Sequence, residues 1–367
     1  MKTTAAVLAA QGNEFELKEV TLTEPAQDEV LIEISGVGLC HTDLAVRDGH
    51  LPFSLPGVLG HEGSGTVIAV GSQVTKVAVG DRVAASFNSC GECTQCNAQH
   101  PAYCIEFMER NFGGSRPDNS SAIEDDGQQL GSNFFGQSSF ARHAMARERN
   151  VVKIPESVPL ELAGPLGCGV QTGAGAVMNS LNVQAGSSVL ITGGGSVGLS
   201  GVLAAVARSA ETIIVSDPMA QRREFALQLG ATHAINPLER PLSEQVREIL
   251  PEGVEFVLDT TAMDSVVEEI IAAMAQRGHL GMVGVPSNPE AELTVNLLQK
   301  QARGLTFSGI VEGDSDPDKF IPELIDLYDQ GKFPFDKLIT KMPFDQINQA
   351  IEAQASGDAV KVVLVHE

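Results

Sequence analysis

The sequence predicts an α/β protein of two domains, a β-rich one in front and a doubly wound parallel sheet behind it. Three observations carry that expectation. The chain has 367 residues, more than a single hydrophobic core ordinarily serves. Its first part consists of short β-forming runs separated by glycine turns, as at residues 30–34, 66–70 and 79–83. From Ser188 onward, apolar runs of strand length alternate with runs of helix length. The expected boundaries are 1–170 for the first domain and 171–308 for the second, with 309–367 returning to the first.

Composition narrows the function classes. The net charge of −23 repels phosphate backbones and anionic lipid, which argues against nucleic acid and membranes as partners. No apolar run reaches the ~18 residues of a membrane span. The stretch Met1-Lys2-Thr3-Thr4-Ala5 lacks the long apolar segment and cleavage site of a signal peptide, so a cytoplasmic location is expected. Four of the six cysteines fall within fifteen residues, which in a cytosolic protein favours metal over disulfides.

Residues 1–38 read as β structure. They lead into Cys40-His41-Thr42-Asp43, then Gly60-His61-Glu62-Gly63, and much later Gly167-Cys168-Gly169. Two Cys and one His form the Cys₂His set of a catalytic zinc site, with a fourth position open to water or substrate. Thiolate and imidazole suit zinc better than magnesium or calcium. Cys90, Cys93, Cys96 and Cys104 follow the pattern C-x₂-C-x₂-C-x₇-C within a lobe at 88–106. Four thiolates so spaced close a tetrahedron around a structural zinc. The alternative, an iron–sulfur cluster, expects a shorter last gap and a following proline. Residues 105–135 read as a polar surface excursion, with Gly113-Gly114, Pro117 and the acidic run Glu124-Asp125-Asp126. The aromatics Phe107, Phe112, Phe134 and Phe135 read equally well as pocket lining or as core; Phe53 joins Phe134 as a candidate pocket residue.

Residues 171–176 open a helix and a new domain. A buried strand at 188–192 runs into Gly193-Gly194-Gly195-Ser196-Val197-Gly198, and a helix follows to about residue 207. A second strand at 212–216 ends at Asp217, twenty-four residues after Gly193. A lone G-x-G-x-x-G is weak, but between a strand and a helix, with an acid at this distance, it is a dinucleotide fingerprint. Gly193, Gly195 and Gly198 let backbone approach the pyrophosphate, whose charge the helix N-terminus favours. Asp217 accepts hydrogen bonds from ribose hydroxyls and repels a 2′-phosphate, selecting NAD over NADP; Arg222 and Arg223 lie close by in sequence. The alternation continues with helices at 220–229 and 266–274 and strands at 254–259, 279–285 and 305–308. After Gly309 come helices at 317–328 and 344–355 and a last strand at 360–365.

With these motifs in this order, the chain resembles the zinc-dependent medium-chain alcohol dehydrogenases over nearly its whole length. The Cys₂His set with an open position is the one for which alcohol dehydrogenase is the standing example, so here a known pattern is matched. The runs Phe134-Phe135-Gly136-Gln137-Ser138-Ser139-Phe140, Gly164-Pro165-Leu166-Gly167-Cys168-Gly169 and Phe320-Ile321-Pro322-Glu323-Leu324 look most like bacterial NAD-dependent aryl-alcohol (benzyl alcohol) dehydrogenases.

The resemblance implies a GroES-like β-rich catalytic domain and a Rossmann domain. It implies two zinc ions per chain, catalytic and structural, with NAD as cofactor. Cys40, His61 and Cys168 would hold the catalytic zinc. Glu62 would lie beside it as a further or occasional fourth ligand, and Asp43 would orient the ligand His. Thr42 would contact the alcohol. His41 and Lys361 would face the cofactor pyrophosphate, Thr172 and Val197 the nicotinamide, with Val285 also near the cofactor and Phe134 in the substrate pocket. The implied activity is reversible oxidation of a primary aryl or allylic alcohol to the aldehyde by a homo-oligomer, dimer or tetramer. Terpenoid or aliphatic alcohols and polyols are the alternative substrates, and a zinc-stabilised binding protein is the alternative class. One position departs from some relatives: Ala45 stands where they carry a His that passes the proton to solvent, leaving His41 as the nearest base.

Overall fold

The strand Glu29–Gly38 is the spine of the first unit of the fold. It pairs antiparallel with Gly63–Val70, His143–Arg147 and Lys361–Val365. Eight of its ten residues are buried, as a central strand of mixed Val, Leu, Ile and Gly requires. The sheet continues through Arg82–Ala85 and Val151–Lys153 on one side and Ile339–Pro343 on the other. A second sheet orders Gly57–Val58, Lys2–Leu8, Phe15–Leu22, Ile123–Asp125 and Gln128–Gln129. In this computed structural model, which describes residues 1–286, 288 and 290–366, the unit comprises Met1–Cys168, Asp316–Pro322 and Ile339–Glu367.

Register carries the chemistry to one place. Val37 faces Gly63 and Gly38 faces Val363. Cys40, His61-Glu62 and Lys361 therefore leave their strands at the same end of the sheet. Gly38 is needed there, because a Cβ would sit 1.9 Å from Glu62 Oε2.

The 105–135 segment is more ordered than its polarity suggests. It contains the helix Phe107–Phe112 and the hairpin strands Ile123–Asp125 and Gln128–Gln129, which extend the second sheet. Its polar side chains have found partners: Asn111 exchanges hydrogen bonds with the Asn88 backbone, and the Ser121 hydroxyl donates to the Leu130 carbonyl. The Arg116 guanidinium donates to both Glu29 oxygens at 2.8 Å, where the Glu29 side chain is 1% exposed. Removing one partner of a buried ion pair strands the other charge. Arg116→Met is expected to cost the first unit about 3–5 kcal/mol in denaturant unfolding; a loss below 1 kcal/mol would show that the clamp is idle.

The second unit comprises Gly169–Ser315 and Glu323–Leu338. Its six strands are all parallel and run in the order His233–Ile235, Thr212–Ser216, Ser188–Thr192, Val254–Asp259, Met274–Met282, Thr306–Gly309. Numbered along the unit this is 3-2-1-4-5-6, the doubly wound order, whose switch point is where ligands dock at strand carboxyl ends. Leu190, Ile214, Val257 and Leu280 fill its core. The strand expected at 279–285 starts earlier, at Met274, and stops at Met282, with a register shift near Val254. The strand His233–Ile235 and the helix Leu242–Ile249 were not expected.

The return to the first unit was expected at 309, but 309–315 and 323–338 belong to the second. The reason is local. Ser315 Oγ donates to Gln171 at 3.1 Å, and Asn179 Nδ2 donates to the Gly313 carbonyl at 3.1 Å, tying this turn to the unit's opening helix. Among the described residues, no helix is long and apolar enough to cross a membrane.

Candidate active site

The sequence Cys40-His41-Thr42-Asp43 is a helix start. Cys40 is the N-cap of the helix His41–Arg47, and Asp43, its third residue, accepts from the Cys40 backbone N–H at 3.0 Å, half of a capping box. The same carboxylate accepts from Gly60 N–H at 3.0 Å and lies 3.0 Å from His61 Nδ1. Asp43 is wholly buried and so ties the Cys40 and Gly60-His61 segments together. Its position makes Nδ1 of His61 the protonated nitrogen and leaves Nε2 as a lone pair. That Nε2 is buried with no hydrogen-bond partner among the described residues.

Cys168 ends the short helix Gly164–Gly167, whose last carbonyl is fastened by Ser86 Oγ at 2.6 Å. Ligand atoms of Cys40, His61, Glu62 and Cys168 all lie within 4.8 Å of one another. Cys168, and after it His61 and Lys361, hold the Cys40 thiol well below its usual pKa against the opposing effect of burial. A thiolate is the form that binds metal. A buried nitrogen with no partner, beside a Cys40 sulfur poised as a thiolate and a second sulfur, is what a zinc ion completes, so these residues fit the metal the sequence implied. Gln137 was quoted only within a longer run, yet its side chain donates to His61 O at 2.8 Å and accepts from Gly63 N–H at 3.0 Å.

Aromatic rings enclose the ligand histidine. Phe135 stacks on His61 at 4.4 Å between centroids, and Phe134 meets it edge-on at 5.3 Å. Phe53 and Phe112 pack on Phe134 at 5.1 and 5.7 Å. Phe134 is fully buried and Phe53 half-buried. The Thr42 hydroxyl lies 3.8 Å from Cys40 Sγ. His41 is exposed at the start of its helix, while Ala45 is 3% exposed on the buried face.

Lys361 departs from expectation. The resemblance placed it facing the pyrophosphate. In the structure its ammonium is 1% exposed, lies 2.7 and 2.6 Å from the two Glu62 oxygens, and donates to Leu39 O at 3.0 Å. Burial works against this charge, but Glu62 beside it keeps the pKa raised.

The second cluster is the lobe. Sulfurs of Cys90, Cys93, Cys96 and Cys104 also lie within 4.8 Å of one another. Backbone N–H groups already point at them: Cys90 N–H at Cys104, Cys93 N–H at Cys90 and Cys96 N–H at Cys93, at 3.2–3.5 Å. The Cys96 N–H and then the Ile105 N–H lower the Cys93 thiol to about 6, and burial pushes Cys104 up to about 12. Among the described residues, none of the six cysteines is in a disulfide.

In the second unit, the helix Ser196–Ala207 begins within the glycine loop. Gly198 cannot be replaced there, since a Cβ would lie 1.9 Å from the Gly193 carbonyl. Asp217 is buried at the strand end and accepts from Gly194 N–H at 2.7 Å and Met219 N–H at 2.8 Å. Arg222 Nη1 stands 3.8 Å from it. Gly195 and Val197 are partly exposed at the loop, whereas Thr172 is buried and donates to Glu312 Oε2 at 3.3 Å. Val285 is exposed just past the strand Met274–Met282. A cavity of about 510 Å³ on the first unit shares no lining residue with either cysteine cluster. Its cations Arg142 and Lys341 are paired with Glu33 and Glu161.

Two family models match the chain: the alcohol dehydrogenase GroES-like domain over residues 26–156 and the zinc-binding dehydrogenase domain over 196–330. A geraniol dehydrogenase from Castellaniella defragrans is 49% identical, covering 98% of this chain and 97% of that one. The chain belongs to the zinc-type alcohol dehydrogenase family. Its fold is accordingly a GroES-like domain with a Rossmann-like domain. The crystal structure of benzyl alcohol dehydrogenase from Acinetobacter calcoaceticus superposes with a TM-score of 0.97 at 44% identity, covering 100% of both chains. An alcohol dehydrogenase zinc-binding domain protein from Burkholderia ambifaria gives 0.97 at 46%, covering 100% of this chain and 99% of that one. In this dehydrogenase Cys40, His61 and Cys168, with Glu62, form a group that could hold a metal ion.

Proposed function

We propose that this dehydrogenase oxidises primary aryl or allylic alcohols to aldehydes with NAD as hydride acceptor, and runs the reverse reduction. The observation that carries the substrate class is the set of Phe53, Phe112, Phe134 and Phe135 rings packed around His61 and one another. Such surroundings favour a flat, unsaturated group and give a polyol nothing to bond with. Geraniol and benzyl alcohol, for which two of the relatives are named, each carry the reacting carbon beside a π-system.

Cys40, His61 and Cys168 would hold the zinc, with Asp43 fixing the imidazole. Zinc so held lowers the pKa of a substrate hydroxyl and polarises an aldehyde carbonyl. Thr42 would take the substrate proton onward, and exposed His41 is the nearest imidazole to it in sequence. Nicotinamide supplies the hydride-accepting carbon. Residues Gly193, Gly195 and Gly198 would cradle the pyrophosphate and Asp217 the ribose hydroxyls.

The test of the substrate class is a panel of benzyl, cinnamyl, geranyl, n-alkyl and polyol alcohols with NAD. Aryl and allylic alcohols should exceed the alkyl and polyol ones in kcat/KM, on the order of tenfold or more, the worth of one or two lost contacts in an apolar site. Equal rates on sorbitol would overturn it. The test of the cofactor is Asp217→Ser. Loss of the like charge should raise the NADP-to-NAD ratio of kcat/KM by on the order of tenfold or more, with Arg222 and Arg223 available to the phosphate. A wild-type preference for NADP would contradict the role given to Asp217.

A further inference from the structure

The catalytic cluster holds four metal-binding side chains where open-site catalysis needs three. A Cys₂His zinc with Glu62 as fourth ligand would be four-coordinate and closed, like a structural site. Something must keep that carboxylate away. Lys361 is beside it: its ammonium lies 2.7 and 2.6 Å from the two Glu62 oxygens and donates to the Leu39 carbonyl. Both partners are buried, at 1% and 0% exposure, so water does not compete for either charge. Register places the lysine, since it opens the strand Lys361–Val365, paired to Glu29–Gly38 where Gly38 leaves room for Glu62. We propose that Lys361 is a positioning residue that holds Glu62 off the catalytic metal and so keeps the substrate position open. This rests on the zinc site assigned above and goes beyond it.

Carboxylate is an accepted zinc ligand, and a buried carboxylate is costly unless it is paired.

The test uses the full-length protein loaded with zinc, and with cobalt(II) as a spectroscopic stand-in. Groups contacting metal ligands typically change metal affinity or activity by ~10–100-fold when removed. For Lys361→Met the expected result is metal release to a chelator slower by at least about tenfold. The cobalt absorption should change and no longer respond to an added primary alcohol. Lys361→Met/Glu62→Gln should return release and spectrum toward wild type, because the amide is a poor ligand. Lys361→Arg should behave as wild type. Release from Lys361→Met as fast as wild type, with an unchanged cobalt spectrum that still responds to alcohol, would overturn the proposal. Should Lys361→Met not fold, Glu62→Gln alone decides: release unchanged from wild type supports a carboxylate held off the metal, and release tenfold faster shows it already bound. Failure of the zinc assignment itself would look different, since neither cobalt nor zinc would then be retained at this site in wild type.

Discussion

Cys168→Ser yields a folded protein that retains roughly one zinc fewer per chain and oxidises alcohols about 10³-fold more slowly. The size follows from the site. Cys168 supplies one of two sulfurs in a cluster where every ligand atom is within 4.8 Å of the others. A serine hydroxyl is a weak, protonated ligand where a metal-binding cysteine would be a thiolate. Loss of metal removes the positive charge that stabilises the reacting oxygen, worth several kcal/mol. Folding should survive, because Cys168 lies at the end of a short helix whose fastening, Ser86 to the Gly167 carbonyl, does not involve its side chain. Elemental analysis together with circular dichroism checks it. Full metal content and undiminished turnover in a folded variant would remove Cys168 from the site.

Cys96→Ser separates the two clusters. It should lose the other zinc, keep the catalytic one, and lower the thermal midpoint of the first unit by roughly 10 °C. Loss of a structural metal belongs to the few changes that cost above ~4 kcal/mol, and each kcal/mol is worth about 2–4 °C in a unit of this size. The lobe has little apolar core of its own: Cys90, Cys93 and Cys96 are partly exposed and the helix Thr94–Asn97 buries no residue. Four clustered sulfurs, with backbone N–H groups aimed at those of Cys90, Cys93 and Cys104, are the means of closing it. An unchanged midpoint after proven metal loss would show that the lobe folds without it.

What was legible in the sequence was what short spacing encodes. The C-x₂-C-x₂-C-x₇-C run, the Cys-His-Thr-Asp helix start and the glycine loop between strand and helix each carry their geometry within a few residues. What was hidden depends on distant partners. Lys361 meets Glu62 across 299 residues of chain, and only the register of three strands brings them together. Arg116 reaches Glu29 across 87 residues, so the segment read as a surface excursion is held in place by a buried ion pair. The strand His233–Ile235 is three residues long and has no apolar run to announce it. The helix Leu242–Ile249 does carry Leu242, Val246 and Ile249 at helical spacing, a signal present and missed. The second domain was expected to end at residue 308, where the βα rhythm stops, which left the turn Glu312–Asp314 outside it. Its side-chain and backbone bonds to Gln171 and Asn179 keep it with that unit.

The central claim is that metal held by Cys40, His61 and Cys168 makes this chain an NAD-dependent oxidant of unsaturated primary alcohols. The most direct measurement is the initial rate of reduced-nicotinamide formation from NAD and benzyl alcohol. It is taken on the purified protein, on the same protein after chelator treatment, and after zinc is restored. The account predicts turnover in the first, its loss in step with the first zinc removed, and its return with zinc. Undiminished turnover by protein shown to be free of metal would contradict it.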